Sequence, residues 1–366
     1  MDLFEQVADT GHESLLFCNK PEVGLKAIIA IHSTTLGPAL GGCRMWPYAS
    51  LDDAVTDVLR LSRGMTYKAA AAGLDLGGGK AVILGDPKSE KSEELFRAFG
   101  RFVDLLGGRY ITAEDVGTSV PDMHHIQAET RWVTGVPEDV GGSGDPSPVT
   151  AFGTLQGLKA AVHKIYGSAS LKGRSVSVQG LGNVGYHLAG YLAKEGAKVF
   201  GCDIDADRRQ RAADEHGVEL VPVESIFDIS CDVFAPCALG ASLNDETIPR
   251  LRCRAVAGAA NNQLAEEERD GQALAARGIL YAPDYVINAG GLINVYNELS
   301  EHGYHRQRAL RMAEAIYANV SRVFQIAERD GLLPAAAAAR LAEERIARVQ
   351  ASGSRHWGRS VSHLFR

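Results

Sequence analysis

The fold of the second half of the chain is decided by the stretch Gly180-Leu181-Gly182-Asn183-Val184-Gly185. It follows a run of strand length, Ser175-Val176-Ser177-Val178, and opens a helix-type segment that ends near Glu195. In that setting the glycines are typical of a dinucleotide-binding turn, because they allow a tight turn, close approach of a pyrophosphate, and packing of helix on strand. The N-terminus of the helix then offers unpaired N–H groups to the phosphate.

An acidic residue follows at the place where such a site uses one. Asp203 ends the next predicted strand, Lys198-Val199-Phe200, and lies 23 residues after Gly180. A carboxylate there accepts hydrogen bonds from a ribose 2′-hydroxyl and repels a 2′-phosphate, so we predict NAD as the cofactor, although Arg208 and Arg209 weaken the exclusion of NADP. The residues predicted to bind NAD at this turn are Gly180, Leu181, Gly182, Asn183, Val184, Gly185, Tyr186 and Asp203.

Strand-type and helix-type segments alternate on both sides of this stretch. Strands separated by segments of helix length indicate parallel βαβ units and a doubly wound sheet. From residue 305 to 349 the sequence is almost continuously helical, with breaks at Gly331 and Pro334, and we expect this segment to return to the first domain. The predicted strands are 26–32, 81–84, 110–112, 175–178, 198–200, 233–235, 255–257 and 279–281.

A cluster of glycine and proline at 140–148 predicts a loop at a domain border, because it cannot continue a helix or strand. Ser147 and Pro148 then predict the start of a helix, with Ser147 as N-cap. We therefore predict an α/β protein of two domains. The first comprises residues 1–140 with C-terminal helices from about 330 to 366, and the second, residues 141–330, is a doubly wound Rossmann domain.

The bulk composition is consistent with this organisation. A chain of 366 residues is long enough for two domains. Its net charge of −7 argues against a nucleic-acid-binding surface, which needs concentrated Lys and Arg. No apolar run reaches the ~18–20 residues of a membrane helix, so we expect no membrane partner. The locally basic end of the chain, Ser354 to Arg366, is interpreted as a solvated tail.

The cysteines and the N-terminus indicate the compartment. The chain begins with Met1-Asp2-Leu3-Phe4-Glu5, which is acidic where a signal peptide is basic. Six cysteines are scattered without a C-x-x-C pair, so we predict reduced, buried thiols, no disulfide framework and no metal site. These features together predict a cytoplasmic protein.

Three polar residues in the first half are candidates for catalysis. Lys80 follows three glycines and precedes the predicted strand 81–84, Lys68 ends a segment poor in charge, and Asp115 closes the strand that begins at Tyr110. A lysine beside a glycine-rich loop can be desolvated, which favours its neutral, basic form. From residue types and spacing alone, the alternative stays open that both lysines lie at the surface and that the aspartate caps a helix.

Five longer motifs add a resemblance to a known family. Together, and in the same order, they resemble the Glu/Leu/Phe/Val dehydrogenase family over most of the chain, from Leu3 to about Ile346. Within that family the likeness is greatest to members that oxidise leucine. The motifs are Gly37-Pro38-Ala39-Leu40-Gly41-Gly42-Cys43-Arg44-Met45, Arg63-Gly64-Met65-Thr66-Tyr67-Lys68, Gly77-Gly78-Gly79-Lys80, Thr112-Ala113-Glu114-Asp115-Val116-Gly117-Thr118 and Pro283-Asp284-Tyr285-Val286-Ile287-Asn288-Ala289-Gly290-Gly291.

The resemblance implies a reaction and assigns roles. It implies reversible oxidation of an L-amino acid by NAD to a 2-oxo acid and ammonia, in a homo-oligomer whose first domain binds substrate and whose second binds NAD, with catalysis in the cleft between them. Lys80 would activate the water that attacks the iminium carbon, Asp115 would carry protons to and from the substrate nitrogen, and Lys68 would pair with the substrate carboxylate. Gly41, Gly42 and Asn262 are then expected at the substrate, and Ala238 and Asn261 at the cofactor.

The same resemblance predicts the side-chain pocket. Its lining would be Leu40, Ala113, Leu292 and Val295, all apolar, which disfavours glutamate because a buried charge would lack a partner. We therefore expect leucine and other branched-chain amino acids. Two positions, Leu292 and Asp145, depart from the pattern of leucine-oxidising members, and residues 289–298 also resemble members that oxidise tryptophan, so an aromatic substrate stays open.

Two other classes of protein predict a different set of residues. A non-catalytic NAD-binding protein with this fold would not need Lys68, Lys80 and Asp115 together. A 2-hydroxy-acid dehydrogenase would need a histidine near the hydride. The candidates His32, His124, His125 and His163 lie in no matching motif and are interpreted as surface or core residues.

Overall fold

The computed structural model describes residues 3–352, and these divide into two α/β units. The first unit holds the described residues within 1–145, 295–306 and 342–366, and the second holds 146–294 and 307–341. The basic stretch from Ser354 to Arg366 lies outside the described residues. None of the helices described has the length and apolar character needed to cross a membrane.

The first unit is built on a mixed five-stranded sheet. Its order is β1-β2-β4-β3-β5, in which β3 runs parallel to β4 and β5 while β2 is antiparallel to β1 and β4. Apolar residues of α2, including Val55, Val58 and Leu59, pack on β2 and β4 and form a buried cluster. The elements are α1 (Leu3–Asp9), β1 (Ser14–Lys20), β2 (Leu25–Ser33), β3 (Ala39–Trp46), α2 (Leu51–Ala71), β4 (Gly77–Leu84), α3 (Glu93–Leu105), β5 (Tyr110–Glu114) and α4 (Val120–Gln127).

The second unit contains a six-stranded sheet in which every pair of neighbours is parallel. Its order is β8-β7-β6-β9-β10-β11, so the chain starts in the middle of the sheet and builds outward in both directions. This order is that of a doubly wound dinucleotide-binding sheet and confirms the predicted fold class. The elements are α5 (Ser147–Tyr166), β6 (Ser175–Gln179), α6 (Asn183–Lys194), β7 (Lys198–Cys202), α7 (Ala206–His216), β8 (Glu219–Leu220), β9 (Val233–Pro236), β10 (Ala255–Val256), α8 (Glu267–Ala276), β11 (Leu280–Tyr281) and α9 (Asp284–Ile287).

The last helices are shared between the units. They are α10 (Gly290–Tyr296), α11 (Arg306–Ala313), α12 (Ala315–Asp330) and α13 (Pro334–Ala351), so the predicted breaks at Gly331 and Pro334 are confirmed. Helix α12 packs on α5 so closely that a Cβ at Gly153 would lie 2.5 Å from Cδ1 of Ile316. That contact explains why α12 belongs to the second unit.

Contacts within the first unit explain why short late segments belong to it. Glu298 accepts hydrogen bonds from the backbone N–H groups of Gly135 and Ser143, each 3.0 Å long. Arg345 donates to the carboxylate of Asp75 at 2.9 Å. The observed borders therefore differ from the predicted ones: the first falls after residue 145, and residues 295–306 and 331–341 change sides.

Three local expectations need correction. Lys80 does not precede a strand but lies inside β4, which begins at Gly77. Ser147 is the first residue of α5, and Pro146 occupies the N-cap position, one residue earlier than expected. Strands β1 and β3 were not predicted at all. Glycine is a poor strand former, which hides both β3 and the start of β4 from a propensity argument.

Candidate active site

Lys80 and Asp115 form an ion pair in the first unit. Lys80 lies in β4, Asp115 follows the end of β5, and Nζ of the lysine is 3.0 Å from Oδ1 of the aspartate. The lysine side chain is only 5% exposed and the aspartate side chain 22%. The sheet order explains the contact, since β3 alone separates β4 from β5.

The second oxygen of Asp115 is held by Arg44, which the sequence analysis did not single out. Nε of Arg44 donates to Oδ2 of Asp115 at 2.9 Å, and Nη1 donates to Oδ2 of Asp57 at 2.8 Å. Burial alone would raise the pKa of Asp115, but the ammonium of Lys80 and the guanidinium of Arg44 outweigh it, so the pKa lies below its ordinary value. Asp115 is therefore ionised at neutral pH.

The backbone around Asp115 is fixed by a threonine and a glycine. The N–H of Asp115 donates to Oγ1 of Thr118 at 2.9 Å, and that hydroxyl donates to the carbonyl of Cys43 at 2.8 Å. A Cβ at Gly42 would lie 2.8 Å from Cβ of Asp115 and 2.4 Å from the carbonyl oxygen of Glu114. Gly42 is thus required for β3 and β5 to approach each other at this point.

The glycines before Lys80 act in the same way. Gly41 and the run Gly77–Gly79 are buried within strands, where Cβ atoms would collide with neighbouring backbone or side chains. They do not form an open loop. Close packing of backbone, rather than an approaching ligand, is what the structure gives for these positions.

Other residues predicted at the substrate lie on β3, β5, α2 and α10. Leu40 and Ala113 are buried on β3 and β5, and because Leu40 pairs with Ile111 and Gly42 with Ala113, they share one face of the sheet. Lys68 is half-buried in the last turn of α2, the helix that meets β4 at Thr66 and Gly78. Val295 is half-buried in the first unit, whereas Leu292 is buried in the second.

A glutamate adds negative charge beside the ion pair. Burial, together with the nearby carboxylates of Asp145 and Asp115, raises the pKa of Glu114 above its ordinary value. The next-door Asp115 has its pKa lowered. The pKa values of these two consecutive carboxyl groups are therefore shifted in opposite directions, and Lys80 and Arg44 both pair with Asp115.

The glycine turn of the second unit forms as predicted. Gly180 has φ +93, a conformation that favours glycine, and a Cβ there would lie 2.9 Å from Cβ of Ala238 at the end of β9. A Cβ added at Gly182, by contrast, would have only the Arg208 guanidinium within 4 Å, at 3.6 Å. The turn therefore leaves open space at Gly182 and the start of α6, which fits a pyrophosphate.

Asp203 lies at this turn and is 8% exposed. Its Oδ2 accepts from the N–H of Leu181 at 2.8 Å and its Oδ1 from the N–H of Asp205 at 2.9 Å. Tyr186 is placed differently: its hydroxyl donates to Glu215 and its ring lies 4.0 Å below the guanidinium of Arg211. Its side chain thus packs on α7.

Two loops of the second unit bring Asn261 and Asn262 near Ala241. Asn262 and Ala241 have positive φ, 49 and 57, the only non-glycine residues to do so in the described part of the chain. The N–H of Ala241 donates to the carbonyl of Asn262 at 2.7 Å. Nδ2 of Asn288 donates to Oδ1 of Asn261 at 2.7 Å, an orienting contact that the sequence analysis missed. Strained positions of this kind concentrate at functional sites.

The parallel sheet with its glycine turn is typical of dinucleotide-binding proteins, and the first unit adds the ion pair of Lys80 with Asp115. Residues 12–132 match the dimerisation domain of Glu/Leu/Phe/Val dehydrogenases, and residues 141–207 and 203–353 match glutamate/leucine/phenylalanine/valine dehydrogenase. The chain belongs to the Glu/Leu/Phe/Val dehydrogenase family, as its motifs predicted. It is an amino-acid dehydrogenase, an oxidoreductase that uses a nicotinamide cofactor.

Similar proteins carry three substrate names. The chain is 58% identical to a leucine dehydrogenase from Thermoactinomyces intermedius over 346 residues, covering 94% of each chain. It is 51% identical to a phenylalanine dehydrogenase from Bacillus thermotolerans over 94% of this chain and 90% of the relative. The crystal structure of L-tryptophan dehydrogenase from Nostoc punctiforme matches with a TM-score of 0.86 and 46% identity, over 95% of this chain and 100% of that one. The preferred amino acid is therefore not fixed by family membership.

Proposed function

We propose that this protein catalyses the NAD-dependent, reversible oxidative deamination of leucine and other branched-chain L-amino acids to the 2-oxo acid and ammonia. The observation that carries the proposal is the ion pair of the buried Lys80 with the half-buried Asp115, 3.0 Å long. A substrate ammonium must lose a proton before its α-hydrogen can leave as a hydride, so the reaction requires an acid/base pair of this kind.

In this mechanism Asp115 accepts and returns the proton of the substrate nitrogen. Its pKa is lowered by Lys80 and Arg44 against the effect of burial, so it is ionised when the substrate arrives. Lys80 acts as base toward the attacking water, whose proton it takes up at Nζ as the water oxygen bonds to the iminium carbon. Lys68 binds the substrate carboxylate as a fixed positive charge.

The second unit is proposed to hold the cofactor. Gly180 to Gly185, Asp203 and Ala238 would bind its phosphates and ribose, with Asn261 and Asn262 at the nicotinamide and the substrate carboxylate. When bound, NAD supplies the hydride acceptor, while the chain supplies position and charge. The NAD preference is supported by Asp203, whose carboxylate lies at the turn and accepts from Leu181 N–H at 2.8 Å.

The preference for branched-chain substrates rests on size and polarity. Leu40 and Ala113 present an apolar, buried face, and the leucine dehydrogenase relative at 58% identity supports the assignment. An aromatic substrate is the second candidate, favoured by the relatives at 51% and 46% identity that act on phenylalanine and tryptophan. A pocket that differs by one methylene discriminates by only ~1–3 kcal/mol, so we expect leucine, valine and isoleucine all to turn over.

We further propose a homo-oligomer in the cytoplasm. The match of residues 12–132 to a dimerisation domain supports the oligomer. All six cysteines are free, and five are buried, which fits a reducing compartment.

The catalytic role of Lys80 is tested with a matched pair of lysines. Lys80→Ala is expected to abolish turnover with a nearly unchanged Kd for NAD, because its contacts lie in the first unit. Lys91→Ala is the control, since Lys91 also pairs with an aspartate, Asp122, in the same unit. Wild-type turnover by Lys80→Ala contradicts the mechanism.

The substrate and cofactor are tested by steady-state kinetics at alkaline pH. The kcat/KM values for a panel of L-amino acids, measured with NAD and with NADP, should be highest for the branched-chain group with NAD. Much higher values for phenylalanine or tryptophan favour the aromatic alternative, and an NADP preference overturns the role of Asp203.

A further inference from the structure

We propose that Arg44 is a positioning residue for the reaction, which fixes the carboxylate of Asp115 so that one oxygen faces Lys80 and the substrate nitrogen. This inference rests on the function proposed above. It assigns Arg44 no contact with substrate or cofactor; the arginine acts through Asp115.

The geometry divides the two oxygens of Asp115 between two cations. Oδ2 accepts from Nε of Arg44 at 2.9 Å, and Oδ1 lies 3.0 Å from Nζ of Lys80. Arg44 comes from β3, Lys80 from β4, and Asp115 from the end of β5, so each group is anchored on a different strand. With both oxygens bound, the carboxylate cannot rotate without breaking a charge-assisted hydrogen bond.

Arg44 is itself held in place by a second carboxylate, that of Asp57. Its Nη1 donates to Oδ2 of Asp57 on α2 at 2.8 Å, and the same oxygen accepts from the hydroxyl of Tyr48 at 2.7 Å. Arg60 donates to the other oxygen of Asp57 at 3.1 Å. The side chains of Arg44 and Asp57 are 22% and 15% exposed, so this support is largely shielded from water.

The four groups Lys80, Asp115, Arg44 and Asp57 alternate in charge. Alternation allows each buried charge to have an opposite neighbour, which offsets its desolvation. Removal of Arg44 would leave Asp115 with one cation and Asp57 without its buried partner. Burial would then weigh more in the pKa of Asp115, and its carboxylate would take up a proton at higher pH.

A lysine cannot replace this arginine fully. Arg44 uses two different nitrogens of its planar group, Nε and Nη1, to bind two different carboxylates. An ammonium is a compact point charge on a flexible stem and cannot span the two carboxylates in a fixed plane. Charge and geometry can therefore be separated by experiment, because Arg44→Lys retains the first and loses the second.

The titratable and charged groups that face Asp115 come from three strands. They are Lys80 on β4, Arg44 and Cys43 on β3, and Tyr110 and Glu114 on β5. Only Lys80 and Arg44 lower the pKa of Asp115. The acid limb of the pH profile of kcat/KM should therefore report the loss of Arg44.

The experiment compares Arg44→Gln and Arg44→Lys with a matched control, Arg97→Gln. Arg97 on α3 also binds two carboxylates, through Nε to Glu129 at 2.7 Å and Nη1 to Glu93 at 3.2 Å. We expect Arg44→Gln to lower kcat by about tenfold to a hundredfold. Its acid limb should move up by about one pH unit or more. Arg44→Lys should keep the acid limb near its wild-type position but recover only part of kcat, and Arg97→Gln should resemble the wild type.

Folding is monitored by Tm and by the Kd for NAD, and Arg44→Lys serves if Arg44→Gln does not fold. The inference is overturned if the folded Arg44 variant matches Arg97→Gln in both kcat and acid limb. A second pair of results also overturns it: Arg44→Gln lowers kcat without a shift of the acid limb, and Arg44→Lys has the full wild-type kcat. Failure of the proposed function looks different: then Lys80→Ala retains turnover, whatever Arg44 does.

Discussion

The two candidate sites of this protein are built in opposite ways. In the second unit, the site at Gly180 consists of backbone N–H groups, glycines and one carboxylate. All of them lie within a strand–turn–helix unit and the strand after it. In the first unit, the site consists of charged side chains from three strands, with Arg44 and Asp115 separated by 71 residues of sequence. A site made of backbone groups can be recognised from a local sequence pattern, whereas a site made of side chains from several strands exists only after the sheet has formed.

This difference predicts which changes affect chemistry and which affect binding. Substitutions in the first unit should lower turnover with little effect on NAD affinity, and those at the turn should do the reverse. The following four tests run from the largest expected effect to the smallest.

Asp115→Asn should cause the largest loss. The amide keeps the shape but cannot accept a proton, so kcat should fall by about 10²- to 10⁴-fold while the Kd for NAD stays within error. The control is Asp122→Asn, which neutralises another buried, lysine-paired aspartate of the first unit. Near-normal turnover by Asp115→Asn would contradict a catalytic role of the charged side chains in the first unit.

Gly180→Ala should weaken the turn. Gly180 has φ +93, and the added Cβ would lie 2.9 Å from Ala238, so the Kd for NAD should rise by about tenfold or more. Gly217→Ala is the matched control, because Gly217 has φ +67 but nothing within 4 Å of its added Cβ. Calorimetric titration with NAD separates the two: equal Kd values for both variants would contradict a role of the turn in binding.

Asp203→Asn should change the choice of cofactor. The amide oxygen can still accept from Leu181 N–H, whereas the hydrogen bond from Asp205 N–H is lost. The negative charge that repels a 2′-phosphate is lost too, so the NADP to NAD ratio of kcat/KM should rise by about tenfold. Asp207→Asn, an exposed neighbour in the first turn of α7, should leave the ratio unchanged. An unaltered ratio in both variants would show that Asp203 serves only the turn.

The smallest effect concerns acid stability and again belongs to the first unit. The ring of His32 lies 4.7 Å from that of His12 and its Nδ1 contacts Oγ1 of Thr66 at 2.8 Å. Burial lowers the pKa of His32 from 6.5 to about 4. Between these values the unfolded chain binds a proton that the folded chain does not, so stability is complete above pH 6.5 and falls as the pH drops toward 4.

His32→Gln should flatten that fall by on the order of 1 kcal/mol, after allowance for partial exposure of the ring. Urea unfolding at pH 7 and pH 4.5 gives the free energy of unfolding of both proteins. His187→Gln, on α6 of the second unit, is the control. A pH dependence of the His32 variant as steep as that of the wild type would rule out this histidine as a source of acid sensitivity.

The comparison also explains what could be predicted from sequence. The turn at Gly180, the following α6 and the parallel, doubly wound sheet of the second unit were accessible, because they depend on local spacing and alternation. Residue types and spacing alone leave the roles of Lys80 and Asp115 open, and only the family motifs favour catalysis. Their contact spans 35 residues and requires β3 to lie between β4 and β5.

Arg44 shows the limit more sharply. It lies within the motif from Gly37 to Met45, yet nothing in its neighbours along the chain indicates that its two nitrogens reach Asp57 and Asp115. Similarly, Lys80 was placed before a strand because Gly77–Gly79 suggest a loop. In the structure they pair with β2 and β3, and this pairing cannot be read from their neighbours along the chain.

The contact of α12 with α5 has a consequence for anyone who divides this chain into fragments. The second unit draws on two separate stretches, 146–294 and 307–341, and the borders at 294, 306 and 341 all fall inside helices. A fragment that stops at 294 would expose the face of α5 around Gly153 to water, and a protease or a cloning boundary at 306 would cut a helix at its first residue. Neither half of the chain therefore contains a complete folding unit.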